Sequence, residues 1–89
     1  MNRYFSNRVD KEYRNWQKNN INVFIKINDL IDNVEKCGML NGIGKPEQLR
    51  HYETPTFSRA ITKSDRLVYR PYGEDDLLII SCKGHYDDK

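Results

Sequence analysis

Val23, Phe24, Ile27, Leu30, Ile31 and Val34 recur with the 3.6-residue period of an α-helix, while Lys26, Asp29, Asp32 and Glu35 fall on the opposite side. No other segment constrains the fold so tightly, because a stripe of that breadth has to be buried against a partner layer. The spacing predicts a helix that stops at Gly38, a residue type that readily leaves the helical conformation. A weaker stripe of Val9, Tyr13 and Trp16 predicts an earlier helix, capped by Ser6 or Asn7 and ending near Lys18. Asn19-Asn20 is so short a connection that the two helices should lie antiparallel as neighbours.

The remaining periodic segments read as strands. Asn2 to Phe5 forms a short first strand, and Phe57 to Thr62, Arg66 to Tyr72 and Leu77 to Lys83 form three more. Lys63-Ser64-Asp65 and the hairpin signal Gly73-Glu74-Asp75-Asp76 separate these three into an antiparallel meander. This order predicts an α+β domain, with two N-terminal helices on one face of a four- to five-stranded, mainly antiparallel sheet. Alternation leaves open whether Phe57, Arg59 and Ile61 or their complement face the helices; Leu67 and Tyr69 suit the core, which sends Arg66 to the open face. On the last strand, strict alternation groups Leu77, Ile79, Ser81, Lys83 and His85 on one side, with Leu78, Ile80, Cys82 and Tyr86 on the other. Met39 to Pro55 has no period and reads as a long ordered loop, with room for a short strand or turn; loops of that length in small domains are usually functional or disordered.

A chain of 89 residues fits one domain, residues 1–89, able to bury about 60% of its unfolded surface in one core. No apolar run approaches the ~18 residues of a membrane span, and the start, MNRYFSNRVDK, has no signal-peptide h-region. Cys37 and Cys82 are too isolated for a disulfide framework, so the expectation is a protein of the cytosol with reduced thiols and no membrane. A formal charge of +2 is too small to argue for nucleic acid, but Lys45, Arg50, Arg59, Lys63, Arg66 and Arg70 make a basic centre beside an acidic terminal stretch.

Within the loop, GIGKPEQLRH opens like a phosphate-binding loop. Pro46 stands where that motif needs Ser or Thr, and Met39 where it needs its first glycine, so no nucleotide site is predicted. The two histidines lack paired metal-ligand spacing, and Ser58, Ser81 and the cysteines show no nucleophile signature; neither a metal nor another cofactor is expected. RNA cleavage fits better, because it needs a base for the 2′-hydroxyl, a cation at the phosphate and an acid for the leaving 5′-oxygen. Glu47, Arg59 or Arg66, and His85 offer those groups, and Tyr86 offers a ring for an unpaired base. The competing reading makes Glu47 a solvated loop acid, Arg66 half of a surface ion pair and His85 a terminal residue.

GIGKPEQLRH, FSRAI, DRLVY and SCKGHY, in this order and at these separations, resemble the YoeB/Txe toxins of the RelE superfamily across nearly the whole chain. The resemblance implies a RelE-like fold and a ribosome-dependent mRNA endonuclease, neutralised by a YefM-like antitoxin and forming a homodimer or a toxin–antitoxin complex. It implies Glu47 as general base, Arg66 at the phosphate and His85 as general acid, with Lys45, Arg50, Arg59 and Tyr86 holding RNA. Ala60 replaces the family's second arginine, Gly84 replaces a tyrosine, and Asp87-Asp88-Lys89 extends past Tyr86. Those departures keep a second reading open, a RelE-fold regulator that binds RNA, ribosome or antitoxin with weakened catalysis.

Overall fold

The computed structural model describes residues 1–84. Ser6 starts the first helix: its extended backbone (φ −68°, ψ 166°) lets the hydroxyl accept from the Val9 amide at 3.3 Å, capping α1, Asn7–Asn19. One residue then closes α1 and opens α2, Ile21–Cys37. The Asn20 amide donates to Trp16 O, while its side-chain oxygen accepts from the Val23 amide. Gly38 ends α2, its amide donating to Val34 O.

Five strands form one mixed sheet in the order β1-β5-β4-β3-β2, with β1 Arg3–Phe5, β2 Glu47–Gln48, β3 Phe57–Ala60, β4 Arg66–Tyr72 and β5 Asp76–Ser81. The meander β3-β4-β5 is antiparallel, as its short connections require. β2 is a two-residue strand within the 39–55 loop, pairing Glu47 with Ser58. β1 joins the far edge parallel to β5, with Arg3 opposite Leu77. A parallel pair needs a crossover, and here the crossover is nearly the whole chain, helices included.

Both helices contribute to the core against one face of the sheet. α2 supplies Ile27, Leu30, Ile31 and Val34 and α1 supplies Val9, packed with Leu67, Tyr69, Leu77 and Ile79. Phe5, Tyr13 and Phe24 run ring to ring at centroid distances of 5.0 and 4.7 Å, joining β1, α1 and α2. Arg3 forks onto Glu35 and also meets Asp32, tying β1 to α2; the guanidinium holds the Glu35 carboxyl below the usual carboxylate range. Trp16 Nε1 donates to Cys82 O at 2.8 Å, and the Cys82 amide donates to the Glu12 carboxylate, fixing α1 to the end of β5.

The strict alternation expected for β5 fails at one point. Val68 pairs with Ser81 and Tyr69 with Ile79, so Ile80 is an extra residue in the ladder. Beyond this bulge the parity reverses: Leu77, Ile79 and Cys82 all lie fully buried, although alternation groups Cys82 with Leu78 and Ile80. Burial, with the Glu12 and Asp65 carboxylates as further causes, pushes the Cys82 thiol up to about 12.

Candidate active site

Arg59, read from sequence as an RNA contact, lies in the interior with a relative exposure of 0%. Its five hydrogen bonds run from Nε to Tyr69 Oη, from Nη1 to Asn33 Oδ1 and Ile43 O, and from Nη2 to Gly38 O and Asn41 O, all at 2.7–2.9 Å. A guanidinium has five N–H donors, and every one is spent inside the protein. Arg59 is therefore not a substrate group; it gathers the carbonyls of the 38–44 loop as a bound cation would. Tyr69 Oη donates onward to Met39 O at 2.7 Å, and burial raises the Tyr69 phenol above its ordinary value against the opposing pull of Arg59. The sequence did carry a signal: Phe57 and Ile61, its neighbours at i−2 and i+2, are both buried.

This clamp gives the glycines of GIGKPEQLRH their purpose. Gly42 (φ 109°) leaves no room for a Cβ, which would collide with Asn33 Oδ1, the acceptor shared by Arg59 and the Ile43 amide. Gly44 (φ 82°) lies so close to α2 that a Cβ would stand 2.6 Å from Leu30 Cδ2. Gly44 O accepts from the Ala60 amide at 2.7 Å, and Lys45 continues the left-handed turn at φ 52°. The chain thus enters Pro46 and Glu47 already registered against β3.

Register places Glu47 and Arg66 on one face. Glu47 opposes Ser58, Ser58 opposes Val68, and Ala60 opposes Arg66, so all five share the side away from Tyr69 and the helices. Glu47 and Arg66 are two strand spacings and two residues apart, about 12 Å between Cα atoms. No ion pair joins the two side chains, and the separation leaves room for a phosphodiester between them. Glu47 is exposed, and no cation lies within 4.0 Å of it among the described residues.

Arg66 is held from behind. Its Nη1 donates to Thr62 O at 3.0 Å and Asp65 O at 3.3 Å, which leaves Nε and Nη2 without a partner among the described residues. Thr62 and Asp65 lock this turn through Thr62 Oγ1 to Asp65 Oδ2 at 2.7 Å. The other Asp65 oxygen accepts from the Gly84 amide at 2.8 Å, and the Arg66 amide donates to Gly84 O at 3.0 Å. Gly84, the residue before His85, is consequently fastened to the start of β4. His85 and Tyr86, the expected acid and stacking residue, lie outside the described residues. Arg50 is exposed one residue past the buried Leu49, and Lys45 and Arg66 both line a cleft of about 590 Å³ between α2 and the β3–β4 turn. Sequence reading does not reach Lys26 of α2, which lines the same cleft; its position one turn before Leu30 is the only hint. Arg70, also on the open face, lies 5.9 Å from the Tyr52 ring centroid, and its buried Nε has no hydrogen-bond partner among the described residues.

Residues 3–86 match the family model described as YoeB-like toxin of bacterial type II toxin–antitoxin system. This chain belongs to that family. Toxin YoeB of Escherichia coli (strain K12) is 40% identical over 75 residues, covering 84% of this chain and 87% of the relative. Among solved structures, the toxin of a YoeB–YefM complex from Staphylococcus aureus superposes with a TM-score of 0.88 at 40% identity, covering 97% of this chain and 98% of its own. A YoeB dimer from the same organism gives a TM-score of 0.90 at 38% identity, over the same shares. The fold expected from the sequence, two helices on a mainly antiparallel sheet, is that of these toxins.

Proposed function

We propose that this toxin is an endoribonuclease that cuts translated mRNA in the ribosomal A site by acid–base catalysis. Glu47 takes the proton from the ribose 2′-hydroxyl, whose oxygen attacks the adjacent phosphorus. Arg66 stabilises the charge that builds on the phosphoryl oxygens, and His85 protonates the departing 5′-oxygen. The products are a 2′,3′-cyclic phosphate and a 5′-hydroxyl, and these proton transfers require no metal. Lys45 and Arg50 hold backbone phosphates, and Tyr86 stacks on an unpaired base.

The observation that carries this reading is the convergence on one face. Register brings Glu47 to the side of Arg66, and two hydrogen bonds fasten the residue preceding His85 to the β4 start that carries Arg66. With Nη1 anchored, Arg66 presents its remaining donors as a fixed fork, the geometry that suits a phosphate. Family membership supports a YefM-like antitoxin as partner and a dimeric or toxin–antitoxin assembly, with action in the bacterial cytoplasm where ribosomes translate.

The test adds the protein to a translation reaction and maps mRNA ends, comparing wild type with Glu47→Gln, Arg66→Gln and His85→Gln. Loss of about 10²–10⁴ in cleavage rate is expected for the acid and base variants. Wild type that leaves mRNA on translating ribosomes intact would refute the nuclease assignment. If antitoxin and ribosome binding survived in that case, the regulator reading would replace it.

A further inference from the structure

The cleft beside Arg66 collects more positive charge than one phosphate needs. Lys26 reaches it from α2, Lys45 from the 38–45 loop, Lys63 from the β3–β4 turn, and Arg66 stands at its edge; among the described residues no carboxylate lines it. Among the described residues none of these four cations has a carboxylate within 4.0 Å, whereas Arg3, Arg8 and Arg14 are all paired. Four like charges converging from separate elements repel one another, which costs stability unless a polyanion occupies the space. At about 590 Å³ the cleft lies within the range that takes ligands much larger than a phosphate ion.

We infer that this cleft is a second RNA-backbone subsite, in which Lys26 and Lys63 hold the phosphate of a nucleotide flanking the one at Arg66. The inference rests on the nuclease reading above for the strand's presence at Arg66. Two features favour RNA over an acidic peptide. Three of the four cations are lysines, compact point charges that bind a backbone without reading its sequence. Among the described residues the lining also offers no exposed aromatic or aliphatic anchor, since its Ile61 is buried, and protein interfaces draw their affinity from such anchors. Ala60, opposite Arg66 and also lining the cleft, contributes no charge, so Lys26 and Lys63 supply what that position does not.

The experiment is a fluorescence-anisotropy titration of the full chain with a 2′-O-methyl hexaribonucleotide, which cannot be cut because its attacking hydroxyl is blocked, at several salt concentrations. Wild type is compared with Lys26→Gln, Lys63→Gln, the double variant, and Lys18→Gln on α1 as a control for general charge. Each cleft lysine removed should lower the slope of log affinity against log salt by about 0.7, and the double by about 1.4, with Lys18→Gln unchanged. A dinucleotide with a single phosphate should bind wild type and the double variant equally. An unchanged slope in the double variant, an equal loss for the dinucleotide, or a loss confined to an acidic antitoxin peptide would overturn the subsite. Unchanged slopes with intact mRNA cutting refute the subsite alone; reduced slopes in a protein whose wild type never cuts mRNA refute the nuclease reading alone.

Discussion

Replacing Arg59 should unfold this toxin before it alters any chemistry. In Arg59→Met the stem is kept and the guanidinium is lost, which strands the oxygens of Gly38, Asn41 and Ile43, Asn33 Oδ1 and Tyr69 Oη. Hydrogen bonds to a charged donor contribute about 1.5–3 kcal/mol each, but the sum overstates the loss because removing a buried cation also removes its desolvation cost. Some stranded oxygens also keep a partner: Asn33 Oδ1 still accepts from the Ile43 amide, and Tyr69 Oη still donates to Met39 O. A net cost of about 3–5 kcal/mol follows, the usual consequence of breaking a buried charged network. A domain of this size has roughly 4–13 kcal/mol in total. Urea unfolding followed by circular dichroism is the assay. With an m-value of about 1 kcal/mol per M, the midpoint should fall by about 3–5 M. Arg59→Lys should fall by less, since an ammonium keeps the charge and three of the five donors. Arg66→Met, at a half-exposed site whose fork faces outward, should stay near wild type. An Arg59→Met protein with the wild-type midpoint and only weakened RNA binding would refute the clamp and return Arg59 to the substrate.

Gly44→Ala should destabilise by roughly 1–3 kcal/mol through overpacking against Leu30, whereas Gly73→Ala, with nothing within 4 Å of its Cβ, should lose only about 1 kcal/mol of backbone strain; paired urea curves read the difference. Thiol titration of the folded protein should find Cys37 alone, because Cys82 is buried with its proton held up to about 12, and the second equivalent should appear on unfolding. Glu35 is an acid whose folded value is lowered by Arg3, so its contribution is present above the ordinary carboxylate value and disappears as pH falls through the folded one. Acid titration of stability should show that loss in wild type and not in Arg3→Gln.

The helices were legible because their signals are local: the α2 stripe and the residues at Ser6, Asn20 and Gly38 act within a turn of where they stand. The β3-β4-β5 meander was legible for the same reason. Three features were not, and each depends on distant partners. Nothing around Arg3 announces that it will pair with Leu77, nothing in LLIIS marks Ile80 as the bulged residue, and Glu47-Gln48 is a strand only because Ser58 and Phe57 lie opposite. Glu47 and Arg66 were identifiable as candidates, yet their common face is a product of register. Arg59 shows the limit most clearly. Its place beside Phe57 and Ile61 was visible in the alternation, but the five acceptors that make burial tolerable come from α2, β4 and the loop.

The edge pairing of β1 sets an order on the birth of this toxin. Asn2 donates to the Asp76 carboxylate, 74 residues away in sequence, and accepts from the Leu77 amide. Closing so long a loop comes late in folding, since its entropy has to be met by contacts already made. A nascent chain stopped before residue 76 therefore has no neighbour for its first strand and lacks Leu77, Ile79 and Cys82 from its core. The two ends of this chain thus complete the domain together.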